Sequence, residues 1–168
     1  MKKPIYPLEQ VLKVKQDRVK KAEKVVEEKK RALEIEEEKL KKVQEERDLV
    51  FQHHSDKLAQ LRKAMDEGTT SDEVLQMKAY LKVVKQKLAK EEEKVKAQKE
   101  QVKIAERNLE EAKQNLKKKR IEEEKIHFHK EDWVKEMKKE LAKEEAKEQD
   151  EIGQVLYESK RKRKRSRS

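Results

Sequence analysis

Apolar residues recur at every seventh position in two long stretches of this sequence. The first series contains Ile5, Leu12, Val19, Val26, Leu33, Leu40, Arg47, His54 and Leu61, and the second contains Val74, Leu81, Leu88, Val95, Val102, Leu109 and Leu116. A heptad series of apolar residues forms a seam that has to pack against a second helix. Because one short break around Gly68 separates the two series, the pattern predicts that they pack against each other. The predicted fold class is therefore all-α, a single antiparallel two-helix coiled-coil hairpin.

Local signals set the boundaries of the two predicted helices. Pro7 suits the first position of a helix, where its missing N–H would have no partner, and Gly68 suits the left-handed position after a helix ends. Thr70 and Glu73 have the spacing of a capping box that opens a second helix. The predicted segments are a short arm, helix 1, a turn at the hairpin tip, helix 2 and a disordered basic tail, at residues 1–6, 7–66, 67–71, 72–157 and 158–168.

In an antiparallel helix pair, the position numbers of two facing residues add up to a constant. This sum defines the predicted register of the two helices. A sum of 138 places large apolar residues opposite small ones, and we predict this register to within one residue. The pairs that it predicts include Ile5–Trp133, Lys15–Glu123, Arg47–Glu91 and Glu36–Val102. The Glu36 carboxylate would then have to turn toward solvent.

The same register leaves helix 2 without an intramolecular partner from about residue 134 onward. This overhang carries Val134, Met137, Leu141, Ile152, Val155, Leu156 and Tyr157. Apolar residues on an unpaired helix often mark a surface that binds a partner. A frayed end with scattered apolar residues is the alternative, and the sequence leaves both open.

Composition supports a narrow coiled coil and excludes a layered globular core. Half of the 168 residues are charged and 33% are apolar, which also fits disorder, but the sustained heptads argue against disorder for most of the chain. Of the net charge of +10, the last nine residues supply seven cations, so 10 − 7 leaves +3 for residues 1–159. The zero cysteines exclude disulfides, and the sequence shows neither a membrane span nor a secretory signal.

No catalytic, cofactor or metal site is predicted. Gly68 and Gly153 are isolated, whereas a phosphate-binding loop needs several glycines before a helix. The histidines at positions 53, 54, 127 and 129 lack the spacing of three or four that places metal ligands on one helical face.

Two further features leave their function open. The cations of residues 160–168 could bind nucleic acid or anionic lipid, or act as a solubilising or tethering end. Near the turn, Arg47, His54 and Lys57 interrupt the seam, and Phe51 and Tyr80 lie outside its main columns. These two rings could form an exposed surface for a partner or merely shield the edge of the seam.

Several stretches of the sequence resemble the YscO class of type III secretion proteins, whose flagellar counterpart is FliJ. The stretches that carry the resemblance are residues 6–12, 18–23, 67–71, 76–81, 129–133 and 150–153. The length and the basic tail are similar to the chlamydial branch of this class. The resemblance covers nearly the whole chain up to about Tyr157.

The resemblance implies a non-enzymatic cytoplasmic stalk or adaptor protein at the cytoplasmic face of the secretion apparatus. Its paired termini are expected to enter the hexameric secretion ATPase, and its tip to reach the ring protein of the export gate. Secretion chaperones or the needle-length regulator are the further expected partners. We expect a monomer without cofactors, without direct membrane insertion and without a nucleic-acid partner.

The resemblance also assigns residues to these two ends of the predicted hairpin. The expected ATPase-binding residues are Tyr6, Leu8, Val11, Trp133, Met137, Leu141, Ile152 and Leu156. The expected gate-binding residues at the tip are Arg47, Phe51, His54, Tyr80 and Val84.

Two other classes of protein remain open from the residues alone. One is a coiled-coil spacer whose basic tail binds nucleic acid in a salt-sensitive way. The other is a homodimeric coiled coil of the cytoskeletal type, which would show a concentration-dependent mass near twice that of the monomer.

Overall fold

Two helices make up almost all of the structure, a computed structural model that describes residues 5–165. Helix α1 spans Glu9–Glu67 and helix α2 spans Ser71–Arg165, with 59 and 95 residues. No strand occurs between residues 5 and 165. The predicted all-α class, with a longer second helix, is confirmed.

Helix α1 begins two residues after the predicted position. Pro7 and Leu8 form a turn, which the Glu9 N–H closes by donating to the Tyr6 carbonyl at 3.2 Å. The first α-helical bond follows, from the Leu12 N–H to the Leu8 carbonyl at 3.0 Å. Pro7 therefore occupies the second position of a turn, which its fixed φ suits equally well.

The connection between the helices has the predicted geometry. Gly68 has a φ of 85°, and the Thr69 N–H donates to the Ala64 carbonyl at 3.2 Å, which is the long bond of a Schellman motif. The Glu73 N–H donates to the Thr70 hydroxyl at 3.4 Å, and the Glu73 carboxylate accepts bonds from the Thr70 N–H and from the Thr69 hydroxyl. The glycine C-cap and the capping box are both confirmed.

Helix α2 extends past its predicted end at Tyr157 and is helical through Arg165, the last described residue. Residues 158–165, which were predicted to be disordered, continue the helix. Lysine and arginine are good helix formers, and cations in a last turn interact favourably with the helix dipole. The remaining residues of the predicted tail, 166–168, and residues 1–4 of the predicted arm lie outside the described part of the chain.

The chain divides into two compact units. The first unit combines Met1–Lys20 with Lys117–Ser168. In it the Glu9 carboxylate pairs with Lys130 at 2.7 Å and Lys15 pairs with Glu122 at 2.8 Å. Because the position on α2 falls as the position on α1 rises, the two segments are antiparallel. These pairs sum to 139 and 137, so the predicted register is correct here.

The second unit, Lys21–Leu116, is an antiparallel hairpin about the turn. Gln98 donates to the Glu36 carboxylate at 2.6 Å, and the ring of His53 lies 2.9 Å from the Tyr80 hydroxyl. These pairs sum to 134 and 133, about one helical turn away from the prediction. Long side chains can reach about one turn along the partner helix, and the pairs that a sum of 138 predicts here, such as Leu33 with Ala105 and Val43 with Val95, are buried or half-buried. The burial pattern therefore fits the predicted register in this unit as well.

Both predicted heptad columns lie in the seam. Every member of both series except Ile5 is buried or half-buried. A second column, three positions further along each heptad, is covered to a similar degree but is rich in polar residues. Its polar members are Lys15, Lys29, Glu36 and Lys57 on α1, and Glu91, Gln98 and Lys119 on α2. The seam thus combines one largely apolar column with one in which apolar and polar residues are mixed.

Candidate partner-binding surfaces

Tyr6 holds the start of the chain against α2 in the first unit. Its hydroxyl lies 2.7 Å from Nδ1 of His129, and its ring centroid lies 5.4 Å from that of Trp133. Nζ of Lys130 lies 5.8 Å from the centroid of the same ring and pairs with Glu9. Tyr6 is only 4% exposed. We call these five residues the Tyr6 junction, because together they close this part of the seam.

A second cross-helix ion pair supports the first unit. Nζ of Lys15 donates to the Glu122 carboxylate at 2.8 Å, and Lys119 lies 3.7 Å from the other oxygen. The hydrogen bond from Lys15 holds the pKa of Glu122 below its ordinary value. The sequence predicted Glu123 as the partner of Lys15, which is one position away.

The residues predicted for the ATPase end fall into three groups. Tyr6 is buried within the junction, so its ring serves the helix pair in this structure and is not presented on the surface. The half-buried residues are Leu8, Trp133, Met137 and Leu141, and the exposed residues are Val11, Ile152 and Leu156. An approaching partner would therefore meet the exposed group first.

Every residue of α2 from 142 to 165 is exposed, and we call this stretch the exposed C-terminal segment. Ile152, Val155, Leu156 and Tyr157 are each between 57% and 68% exposed. The Ser159 hydroxyl donates to the Leu156 carbonyl at 2.8 Å, an interaction within the helix itself. Four large apolar side chains within six consecutive positions thus present an accessible patch.

Tyr80 lies in an open groove of the second unit. The groove, which we call the Tyr80 groove, is lined by Leu49, Val50, His53, Tyr80, Val83, Val84 and Lys87. The rings of Tyr80 and His53 meet edge to face at 5.9 Å, and Nζ of Lys57 lies 5.8 Å from the Tyr80 centroid. Tyr80 remains 47% exposed. The groove combines apolar walls with an aromatic ring that a partner can reach.

The residues predicted for the tip are distributed unevenly. Phe51 and Tyr80 are exposed, whereas Arg47 and His54 are half-buried. Val84 is buried and belongs to the core of the hairpin. Arg47 does not meet Glu91, as the sequence predicted, because its guanidinium bonds to the neighbouring Asp48 carboxylate at 2.7 Å and 2.9 Å.

Five groove residues were missed as site candidates, namely Leu49, Val50, His53, Val83 and Lys87. Leu49 and Val83 are highly exposed apolar residues, and His53 was considered only as a metal ligand. The predicted sum of 138 places Lys85 opposite His53, so the contact between the His53 and Tyr80 side chains, about one turn away, was not expected. The signal that could have found the site was two exposed apolar residues beside a histidine and a tyrosine on facing helices.

Two acidic residues of the seam, Glu36 and Glu91, differ in how fully their carboxylates are hydrogen-bonded. Glu36 accepts bonds from Lys39 and Gln98, at 2.8 Å and 2.6 Å, and does not turn to solvent as predicted. These bonds, that from Lys39 first, hold its pKa below the ordinary value. Glu91 is buried, with one oxygen bonded to Lys94 at 3.0 Å and the other without a partner among the described residues. Its bond raises the pKa of Lys94.

Neither a metal-binding cluster nor a membrane-spanning helix is found among the described residues. Between residues 5 and 165, no cluster of three or more histidine, cysteine or acidic side chains has an arrangement suited to a metal ion. In the same range, neither helix contains a stretch that is long and apolar enough to cross a membrane.

Comparison with known proteins gives a consistent result. A model of the YscO-like protein family matches residues 3–164. The structure of CT670 from Chlamydia trachomatis, described as a YscO homolog, is 55% identical, with a TM-score of 0.89 over 93% of this chain and 96% of that chain. A chain of the Chlamydia pneumoniae CdsV and CdsO protein complex is 56% identical over 50% of this chain and 98% of its own, with a TM-score of 0.48. No curated protein sequence matches.

The family match covers nearly the whole chain, and the CT670 structure is similar to it in sequence and in its helical fold. The two heptad-patterned helices joined by a glycine turn show the coiled-coil fold, and the family match places the chain among proteins of type III secretion. This chain belongs to the YscO-like family.

Proposed function

We propose that this chain is a non-enzymatic stalk or adaptor of a type III secretion system. It would link the hexameric secretion ATPase to the ring protein of the export gate. Membership of the YscO-like family supports the secretion role. The two accessible surfaces described above support an adaptor, because each offers a separate place for a partner to bind.

The observation that carries the proposal is the exposed C-terminal segment. Ile152 and Leu156 are four positions apart and therefore lie on one face of α2, and both are more than half exposed. Large apolar side chains clustered on an otherwise charged helix are typical of an interaction site. We assign this segment to the ATPase, with Val11 and the half-buried residues Leu8, Trp133, Met137 and Leu141 as its continuation.

The Tyr80 groove is the proposed site for the export gate. Its exposed members supply aromatic and aliphatic surface, and Lys57 and Lys87 supply a charged rim. Interfaces are commonly organised in this way, with tyrosine or another aromatic residue as the anchor and polar groups at the edge.

The remaining parts of the proposal follow from the family and from the helix pairing. Each unit packs its own segments of α1 and α2 together, so the seam needs no second copy of the chain, which favours a monomer. We place the protein at the cytoplasmic face of the apparatus. Secretion chaperones or the needle-length regulator are its further proposed partners.

The direct test is ATP hydrolysis by the cognate secretion ATPase, with and without this chain. We expect the wild-type chain to stimulate hydrolysis and the pair Ile152→Ser with Leu156→Ser to lose most of that stimulation. A matched control is Leu49→Ser with Val83→Ser, which removes equally exposed apolar side chains from the Tyr80 groove.

Three results decide the assignment. Loss of stimulation with the first pair alone supports the ATPase site. Equal stimulation by both pairs would exclude Ile152 and Leu156 from it. No stimulation by a helical wild-type chain would refute the stalk proposal.

A further inference from the structure

The basic end of the chain continues the helix that carries the exposed apolar patch. Residues 160–165 are six consecutive lysines and arginines, and α2 remains helical through Arg165. Between Ile152 and Arg165 the only acidic residue is Glu158. Apolar and cationic groups are therefore held together on one regular element, with no flexible connection between them.

The helical spacing aligns the apolar side chains on one face. Ile152, Val155, Leu156 and Ser159 follow one another at the i, i+3, i+4 and i+7 positions, which form a single stripe. Lys160, four positions after Leu156, extends that stripe with a cation. Tyr157 borders a shallow groove with Lys160, Arg161, Lys164 and Arg165. An aromatic ring with a polar tip thus lies beside the cations.

We propose that residues 152–165 bind the surface of an anionic lipid bilayer. The apolar stripe would enter the boundary between headgroups and acyl chains, and the lysines and arginines would contact the anionic headgroups. Long cationic side chains bury their alkyl stems beside an apolar stripe while their charges reach the headgroup layer. Tyrosine is enriched at this depth for a similar reason, because its ring is apolar and its hydroxyl is polar.

The exposed apolar patch favours a bilayer over nucleic acid. Six cations alone would suit any polyanion, but a phosphate backbone offers nothing that covers Ile152, Val155 and Leu156. A basic helix with an adjacent apolar face is the combination that lies on anionic membranes. The rest of the chain is nearly balanced in charge, so its net attraction to an anionic surface is small compared with that of this segment.

This inference goes beyond the proposed stalk function and does not depend on it. The bilayer and the ATPase would compete for Ile152 and Leu156, so a chain docked on one releases the other. The ATPase assay contains no lipid, and the lipid assay contains no ATPase. Failure of one proposal is therefore distinguishable from failure of the other.

The test is flotation of the full chain with vesicles of phosphatidylcholine, with and without phosphatidylserine. We expect binding only when phosphatidylserine is present, and weaker binding as salt rises. Lys160→Gln, Arg161→Gln and Lys162→Gln together are expected to weaken binding by about fivefold per cation, about a hundredfold in all. Ile152→Ser with Leu156→Ser is expected to weaken it by at least about tenfold.

Two matched controls separate this segment from charge and apolar surface elsewhere. Lys138→Gln, Lys139→Gln and Lys143→Gln remove the same number of exposed cations from α2, and Leu49→Ser with Val83→Ser removes exposed apolar groups from the other unit. Both controls are expected to bind vesicles as the wild type does. Circular dichroism of every variant checks that the helices remain.

The proposal is overturned by any of three results. The first is no binding to phosphatidylserine vesicles. The second is vesicle binding that the Ile152 and Leu156 substitutions leave unchanged, since the interaction would then be one of charge alone. The third is equal weakening by the lysine control set. If single-stranded RNA displaces the vesicles and binds the serine pair as tightly as the wild type, the segment is a nucleic-acid site instead.

Discussion

The two units contain the same small group of side chains in two different environments. In each unit a tyrosine hydroxyl meets a histidine ring nitrogen, at 2.7 Å for Tyr6 and 2.9 Å for Tyr80. A lysine Nζ lies 5.8 Å from the ring centroid in both. Yet Tyr6 is 4% exposed and Tyr80 is 47% exposed.

The difference lies in the apolar cover and not in the polar chemistry. Trp133 packs on the Tyr6 ring and Glu9 neutralises the lysine beside it, whereas the described contacts of Tyr80 are with His53 and Lys57. A covered tyrosine stabilises the helix pair, because its ring and its hydroxyl are both satisfied inside the molecule. An open tyrosine with the same hydrogen bond retains a ring face that a partner can bury.

The largest expected difference between the two tyrosines is in stability. Tyr6→Ala is expected to lower the free energy of unfolding by about 3 kcal/mol, as for other buried aromatic residues, and Tyr80→Ala by less than about 1 kcal/mol. Urea unfolding followed by circular dichroism measures both. Trp133, the only tryptophan, reports local opening of the Tyr6 junction by fluorescence. Equal losses of unfolding free energy for the two variants would contradict the distinction between a covered Tyr6 and an open Tyr80.

The two units should also differ in binding to the export gate, where substitutions in the second unit are expected to have the larger effect. Phe51→Ala with Tyr80→Ala is expected to weaken binding to the cytoplasmic domain of the gate ring protein by at least about thirtyfold, because exposed aromatic anchors dominate interfaces. Titration calorimetry gives the affinity, with helicity checked in parallel. Phe128→Ala, an exposed ring of the first unit, is the control. Undiminished binding by the double variant would remove the Tyr80 groove as the gate site.

A smaller effect on stability is expected from Glu91, a charged residue in the second column of the seam. Glu91→Leu in the second unit should raise the free energy of unfolding by about 1 kcal/mol, since it removes a buried carboxylate with one unpaired oxygen. Glu92→Leu, the exposed neighbour, should change stability by less than about 0.5 kcal/mol. Urea midpoints of the two variants make the comparison. Destabilisation by Glu91→Leu would show that this carboxylate contributes favourably to the seam.

The smallest expected effect is the dependence of stability on pH, and both units share it. The pKa values of Glu122 and Glu36 are lowered by hydrogen bonds, from Lys15 and from Lys39 and Gln98. As the pH falls, these carboxylates are protonated at a higher pH in the unfolded chain than in the folded one. The stability that their hydrogen bonds contribute is therefore present above a pH of about 4.5 and is lost as the pH falls through the folded pKa values.

Thermal unfolding between neutral and acidic pH tests this dependence. Glu36→Gln should show a shallower fall in melting temperature than the wild type, while Glu38→Gln, on the exposed face, should match the wild type. A melting temperature of the wild type that rises on acidification would mean that the carboxylate pKa values are not lowered by folding.

Features that depend on local or apolar patterning were predictable from the sequence. The heptad columns, the left-handed Gly68 and the Thr70–Glu73 capping box each follow from steric or hydrophobic rules that involve few competing arrangements. In the first unit, the predicted pairs were correct to within one position, with Glu122 in place of Glu123 and Tyr6 in place of Ile5 against Trp133.

Features that depend on a choice among polar partners were not predictable. Arg47 could reach a carboxylate on either helix, and Asp48 beside it required less ordering than Glu91 across the seam. The end of α2 was missed because a run of cations also suits a disordered tail, although lysine and arginine favour helix. The Tyr80 groove depends on the direction that the long side chains of His53 and Tyr80 take, which the heptad pattern does not specify.

The central claim is that this chain binds two partners through separate sets of residues. The most direct measurement is the mass of complexes formed when the chain, the secretion ATPase and the cytoplasmic domain of the gate ring protein are mixed. The account predicts a three-component complex that forms only when the chain is present. Ile152→Ser with Leu156→Ser should release only the ATPase, and Phe51→Ala with Tyr80→Ala only the gate. Mutually exclusive binding, with one partner displacing the other, would contradict it.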